Sequence, residues 1–163
     1  MNYLVYALVI GVGATVLVDL WAIARKRAFD TPLPNYGLVG RWFAHLARGR
    51  LRHQSIAASP AVQGERVIGW VAHYVIGVVF AGMLLAVWGL AWVRQPTLGP
   101  ALLVGIGTVA APFLVMQPGM GAGVAASRTP RPAAARLQSL ITHTIFGLGL
   151  YVAGWIARFF QLS

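Results

Sequence analysis

Two histidines inside apolar segments are the residues of this sequence best suited to chemistry. An imidazole can take up a proton, hold a metal or form hydrogen bonds near neutral pH. Each histidine follows an arginine by seven residues and precedes a glycine by four, as Arg66, His73 and Gly77 and again as Arg136, His143 and Gly147. In a helix that rises about 1.5 Å per residue, both histidines lie roughly 10 Å beyond their arginines. The repeat therefore predicts two imidazoles at equal depth.

Asp19 adds a carboxylate to this pattern. It is the only acidic residue inside an apolar segment, and it precedes Arg25 by six residues, which places it roughly 9 Å inward. Ionisable side chains within a membrane usually face a partner or a water-filled cavity. We therefore predict that Asp19, His73 and His143 form one polar layer that binds a ligand or a proton. Gln117, at the end of a third apolar segment, is predicted to lie just above this layer.

The same layer admits three other interpretations. Two imidazoles and a carboxylate suit zinc, copper or iron, and Met116 would add a soft ligand. Two histidines at one depth can also hold a haem, and Gly77 and Gly147 would leave room for the porphyrin. Alternatively, Asp19 accepts hydrogen bonds from the histidines and only fixes helix packing. The sequence identifies no cofactor, and these alternatives stay open.

A second candidate site lies in the segment MQPGMGAGVAASRTPRP, residues 116–132. Its spaced glycines permit unusual backbone angles, and backbone amides together with Arg128 and Thr129 could bind an anion. The alternative is a tight turn that carries topological charges. Ser139 lies one turn from His143 on the same helix, a spacing that is common by chance. We therefore predict no catalytic residues.

The elements that must position these residues follow from composition. The chain has 163 residues, 58% of them hydrophobic and 10% charged, with a mean hydropathy of +0.71. A membrane-spanning helix needs about 20 apolar residues, and four segments are long enough, at residues 3–24, 67–92, 98–117 and 137–157. We predict an all-α polytopic membrane protein, a four-helix transmembrane bundle that forms one membrane domain over residues 1–163. The first segment is expected to be retained, because arginines follow it and no positive region precedes it.

Two further patterns indicate how the helices meet. Small residues recur at four-residue intervals in the first segment, at Ala7, Gly11 and Thr15, and small residues allow helices to approach closely. The stretch GVGATV at residues 11–16 also resembles GIGTVA at residues 105–110, which parallels the repeated histidines. We therefore predict a duplicated helical hairpin.

The basic residues behind the net charge of +10 are concentrated in loops beside the apolar segments, as in many membrane proteins. Eleven of the 13 Lys and Arg residues lie in the loops at residues 25–66 and 118–136, and positive loops stay in the cytoplasm. This predicts a bacterial inner-membrane protein with both termini on the periplasmic side, and it argues against a nucleic-acid partner. The absence of cysteine excludes disulfides and thiol chemistry.

The first cytoplasmic loop contains a basic amphipathic pattern, LVGRWFAHLARGRLRH at residues 38–53. Apolar residues fall on one side, and the other side carries Arg41, His45, Arg48 and Arg52. Such a helix is expected to lie on the membrane surface, with residues 41–52 attracting anionic lipid headgroups.

Because four short spans make transport by one copy difficult, a transporter would require a homo-oligomer.

Several motifs carry a resemblance to a known family. They are QPGMGAG followed by AAS, TP and FGLGLY in residues 116–154, and DLW, NYGLVGRW and GWVAHYVIG nearer the N-terminus. With these motifs the chain resembles the bacterial inner-membrane family named domain of unknown function 2938. The resemblance covers nearly the whole chain and implies a small polytopic membrane protein without an assigned activity. It implies no substrate and no catalytic residues.

These observations favour a small transporter or a permease-like ligand-binding protein. Its site is predicted at the polar layer and is expected to be closed from the cytoplasm by residues 116–132. The alternatives are a redox subunit that binds a metal or haem, and a structural or accessory membrane subunit without a ligand.

Overall fold

The computed structural model describes residues 2–161, apart from the side chain of Gln161. Four helices are long and apolar enough to cross a membrane, Tyr3–Phe29, Glu65–Trp88, Leu98–Met120 and Pro132–Phe160. No strand occurs in this part of the chain. The predicted all-α fold with four apolar helices is therefore confirmed.

The helices are numbered here in chain order. They are α1 (Tyr3–Phe29), α2 (Tyr36–Leu46), α3 (Glu65–Trp88), α4 (Ala91–Arg94), α5 (Leu98–Gly107), α6 (Gln117–Met120) and α7 (Pro132–Gln161). A π-helical turn, Pro112–Met116, and a 3-10 turn, Val124–Ala126, complete the order. The third apolar helix thus consists of α5, the π-helical turn and α6. Pro112 has no amide hydrogen to donate to the preceding turn. The Gln117 amide donates to the Pro112 carbonyl, five residues earlier, and this wider hydrogen bond makes the turn π-helical.

The chain divides into two compact units. The first contains the chain up to Leu33, Tyr74–Thr108 and the chain from Ile141 onward, and the second contains Pro34–His73 and Val109–Leu140. The first unit holds the apolar core, in which the largest fully buried side chains include Tyr6, Ile10, Leu84, Leu85 and Leu150. It also contains Asp19 and His143, whereas His73 belongs to the second unit.

Helices of the first unit meet at small residues. A Cβ on Gly11 of α1 would lie 2.5–2.8 Å from backbone atoms of Gly77 and Val78 in α3. Gly105 of α5 lies equally close to the backbone of Gly147 in α7. Thr15 donates a hydrogen bond of 2.8 Å to the Gly11 carbonyl. These contacts occur at the predicted small-residue positions, where only glycine leaves space for the neighbouring backbone.

The second unit is built on the contact of α2 with the first turns of α3. Gly40 of α2 faces Gly69 of α3, and a Cβ on either glycine would overlap backbone atoms of the other helix. The helix α2 ends at Leu46, because Gly49 adopts a φ of +80° and the Arg50 amide turns back to the His45 carbonyl. The predicted amphipathic helix is therefore present but shorter than residues 38–53.

The predicted polar side of α2 is wrong for two residues. His45 is only 4% exposed, and the side chain of Arg41 is only 12% exposed. Both have partners within the protein: Arg41 donates to Glu65, and His45 Nε2 lies 3.1 Å from the Pro60 carbonyl oxygen. Arg48 and Arg52 are exposed but lie beyond the end of the helix.

Candidate polar sites

Asp19 has a protein partner in the first unit. Its Oδ2 accepts a hydrogen bond of 2.9 Å from the Tyr74 hydroxyl, which joins α1 to α3. Tyr74 was not predicted as a site residue, although it directly follows His73 in the HY pair of the GWVAHYVIG motif. A tyrosine next to a candidate histidine was the available signal.

His143 is hydrogen-bonded to α5 and the residue that follows it. Its Nδ1 lies 3.1 Å from the Gly105 carbonyl oxygen and 3.1 Å from the hydroxyl of Thr108. Thr108 is buried and donates to the same carbonyl at 2.7 Å. Because a carbonyl oxygen only accepts, we infer that Nδ1 carries the proton, which makes Nε2 the acceptor of the neutral ring. The imidazole thereby links α7 to the end of α5.

His73 has a different kind of partner in the second unit. Its Nε2 lies 3.0 Å from the hydroxyl of Tyr36 in α2, and the two rings stack with centroids 4.2 Å apart. Trp70 contacts both rings, with centroids 4.6 Å from Tyr36 and 5.9 Å from His73. The two histidines of the repeat therefore differ in their contacts, because His73 contacts α2 and His143 contacts the end of α5.

Asp19, His73 and His143 thus each form a hydrogen bond to a different residue. Within residues 2–161, no three His, Asp or Glu side chains are placed to hold one metal ion. Met116 ends the π-helical turn and is half-buried. Metal or haem binding by these residues stays a prediction and draws no support from these contacts.

Gln117 lies in the second unit, and its side-chain amide forms only some of the hydrogen bonds that it could form. Its Nε2 lies 3.5 Å from the hydroxyl oxygen of Ser139, which itself donates to the Ala135 carbonyl. The Oε1 of Gln117 is buried and has no hydrogen-bond partner among the described residues. A buried carbonyl left in this state costs about 1–3 kcal/mol, so a polar molecule bound beside it would gain a hydrogen bond.

The segment containing Arg128 and Thr129 forms a tight turn. The Thr129 hydroxyl donates to the Ala126 carbonyl at 2.8 Å. The amides of Ser127, Arg128 and Thr129 donate to the carbonyls of Val124, Ala122 and Ala126. These three backbone donors of the predicted anion site are therefore used inside the turn, while the Arg128 side chain is exposed. This geometry favours the alternative of a turn that carries topological charge.

The glycines of QPGMG have a structural role that their spacing in the sequence did not indicate. A Cβ on Gly119 would lie 2.6–2.9 Å from the Trp42 indole. Gly121 has a φ of +95°, and a Cβ there would overlap the Gln54 carbonyl. The carbonyls of Gly119 and Met120 accept hydrogen bonds of 2.9 and 3.0 Å from the amides of His53 and Ile56. QPGMG therefore supports the connection between α2 and α3.

Arg41 fixes the same connection from the other side. Its Nε and Nη2 each donate to a carboxylate oxygen of Glu65 at 2.8 Å. Its Nη1 donates to the carbonyls of Ile56, Ala57 and Ser59 at 3.0–3.3 Å. The hydrogen bonds to Glu65 raise the pKa of the Arg41 guanidinium. Arg41 is thus a clamp on residues 56–59.

A protein-family model described as "Protein of unknown function (DUF2938)" matches residues 8–157. The chain belongs to this family. No curated protein and no solved structure matches the sequence. The resemblance predicted from QPGMGAG and the N-terminal motifs is therefore confirmed.

The DUF2938 match contains every predicted site residue and also the structural residues identified here, including Arg41, Tyr74 and Gly121. In this DUF2938 chain, the motif glycines make close backbone contacts, and the motif histidines and Asp19 make hydrogen bonds between elements.

Proposed function

We propose that this chain is a structural or accessory protein of the bacterial inner membrane, with both termini on the periplasmic side. In it, Asp19, His73 and His143 hold neighbouring elements together and do not act on a substrate. The observation that carries the proposal is that each of the three has a hydrogen-bond partner on another element. The proposed orientation rests on the 11 of 13 basic residues in the two loops.

The energetics of membranes favour this role. Hydrogen bonds between membrane helices contribute about 0.6 kcal/mol each and rarely more than about 2. Such bonds add to the packing of small residues, which the first unit provides at Gly11 and Gly105. The polar groups then specify which helix faces meet, while the exposed apolar faces remain for lipid or for another membrane subunit.

Two substitutions at the Asp19–Tyr74 pair distinguish packing from chemistry. Asp19→Asn removes the carboxylate but retains an oxygen that accepts the tyrosine hydrogen bond, whereas Tyr74→Phe removes the donor and retains the carboxylate. We expect Tyr74→Phe to lower the free energy of unfolding by about 1 kcal/mol and Asp19→Asn to lower it less. The measurement is titration of the detergent-purified protein with sodium dodecyl sulfate.

The fitness of strains that carry each variant as their only copy completes this test. A structural role predicts that both strains compete equally with the parent, and that addition of His143→Gln to Asp19→Asn lowers stability without loss of fitness. A strain with Asp19→Asn that loses fitness at unchanged stability, while Tyr74→Phe is tolerated, would contradict the proposal, because the charge or proton of Asp19 would then matter beyond helix packing.

Binding of a small polar ligand, as in a permease, is a second candidate function. The buried Gln117 Oε1, which has no partner among the described residues, is the observation that favours it. Gln117→Leu removes an unsatisfied buried group, so we expect the thermal midpoint to rise by a few degrees, about 1 kcal/mol in stability. If Gln117 binds a ligand, the stabilised variant will lose fitness. Stabilisation with unchanged fitness would reject this candidate.

A further inference from the structure

A cavity of about 510 Å³ opens on the connection between α2 and α3. Its polar lining consists mainly of Arg50, Arg52, His53, Ser55 and Ser59. None of the described residues that line it is acidic. This space is an open groove at the surface of the connection, and the two guanidiniums that line it define the charge that a bound molecule must carry.

The walls of this cavity are fixed by contacts on two sides. The Arg41 clamp holds the carbonyls of residues 56–59. On the other side, QPGMG accepts hydrogen bonds from the amides of His53 and Ile56. A site that is held in place before binding loses less conformational entropy when a ligand arrives. The connection is therefore preorganised although it has no regular secondary structure.

His53 provides the second, independent observation. Its Nδ1 lies 3.0 Å from the Ser59 hydroxyl oxygen, and that hydroxyl donates its own proton to the Ser55 carbonyl at 3.1 Å. Ser59 must therefore accept, so Nδ1 carries a proton. The remaining nitrogen, Nε2, is buried and has no hydrogen-bond partner within the described part of the chain. Because Nε2 is covered in this structure, the imidazole must turn toward the cavity before this nitrogen can accept a proton from an acidic ligand or, as imidazolium, donate to one of its oxygens.

We propose that this cavity binds a phosphate monoester through Arg50, Arg52 and His53. The planar guanidinium matches phosphate oxygens in a bidentate manner, and a phosphate monoester supplies both acceptor oxygens and, when singly protonated, a hydroxyl for Nε2 of His53. The cavity exceeds the size of a phosphate ion, which leaves room for the esterified group. That group is either the tail of an anionic lipid or the body of a soluble phosphate ester.

Residues 41–52 were predicted to attract anionic headgroups, and the proposal assigns anion binding to two of them, Arg50 and Arg52. Arg41 is committed to Glu65 and to carbonyls, so it positions the cavity and does not bind the ligand. Arg50 and Arg52 are exposed and line the cavity. Arg48 is also exposed but does not line the cavity, which makes Arg48 a matched control of the same charge.

The test uses the full-length chain, purified in a neutral detergent and freed of lipid. Inorganic phosphate is titrated by calorimetry, and dioctanoyl phosphatidate and dioctanoyl phosphatidylcholine are titrated by native mass spectrometry. We expect Arg52→Gln and His53→Gln each to raise the Kd of phosphatidate about tenfold, as the loss of one charge-assisted hydrogen bond predicts. Arg48→Gln should leave the Kd within about twofold, and thermal midpoints of all variants check that the fold is kept.

The outcomes separate the two sources of phosphate. Phosphatidate that binds at least about tenfold tighter than inorganic phosphate supports a lipid headgroup, because the tail then adds affinity. Equal affinities support a soluble phosphate ester. Equal binding of phosphatidate and phosphatidylcholine, absence of binding by both phosphate probes, or equal effects of Arg48→Gln and Arg52→Gln would overturn the proposal.

Discussion

Replacement of Gly121 by alanine is expected to lower the free energy of unfolding by about 3 kcal/mol. Two effects add at this position. The backbone has a φ of +95°, which disfavours any residue with a side chain, and the added Cβ would overlap the Gln54 carbonyl. To relieve the overlap, residues 53–56 must move away from QPGMG and break the hydrogen bonds that hold them there. Titration with sodium dodecyl sulfate in mixed micelles measures the change.

Gly49→Ala is the matched control for this prediction. Gly49 also has a positive φ, +80°, but nothing lies within 4 Å of the position that a Cβ would occupy there. Only backbone strain then opposes the substitution, and we expect a loss of about 1 kcal/mol. The difference between the two variants measures the contact with Gln54. Equal losses would show that QPGMG does not support the connection between α2 and α3.

Gly105→Ala is expected to destabilise the first unit by about 2–3 kcal/mol. Its Cβ would overlap the backbone of Gly147 and lie 2.9 Å from the His143 carbonyl oxygen. The helices α5 and α7 must separate to accept the methyl group. Separation would also weaken the hydrogen bond between the Gly105 carbonyl and Nδ1 of His143. The same detergent titration measures the loss of stability.

Gly99 supplies the control on the same helix. Nothing lies within 4 Å of a Cβ at Gly99, and its φ is not positive. Because alanine is about 1 kcal/mol more favourable than glycine inside a helix, Gly99→Ala should leave the free energy of unfolding unchanged or raise it. A Gly105→Ala variant as stable as Gly99→Ala would mean that α5 and α7 do not touch at Gly105 in the membrane.

The number of apolar helices and the presence of Asp19 and both histidines within them could be predicted from the sequence. Apolar length determines which segments can span a membrane, and residue spacing gives depth along a helix. Depth does not identify a neighbour, however. The partner of His73 is Tyr36, 37 residues earlier, and the partner of His143 is Thr108, 35 residues earlier. Spacing from an arginine therefore predicted similar depths, but it could not predict that Asp19, His73 and His143 each form a hydrogen bond to a different residue.

The second unit was harder to predict because its contacts depend on distant residues. An amphipathic pattern places charged residues on one side of α2 but cannot show whether that side meets water or a carboxylate. Glu65 lies 24 residues beyond Arg41, and the turn at Gly49 ends the helix before the pattern does. For the anion site predicted at Arg128 and Thr129, spacing could likewise not show that neighbouring carbonyls accept hydrogen bonds from the amides of both residues.

The paired glycines of the first unit bear on how such a chain could arise. Gly11 meets the backbone at Gly77 and Val78, Gly105 meets Gly147, and in both cases a threonine hydroxyl donates to the carbonyl of the first glycine. Two copies of one ancestral hairpin would make both crossings with a single sequence. The histidines four residues before the second glycines have different partners. Gene duplication with fusion would thus have preserved the helix crossing, while one of the two histidines came to contact α2.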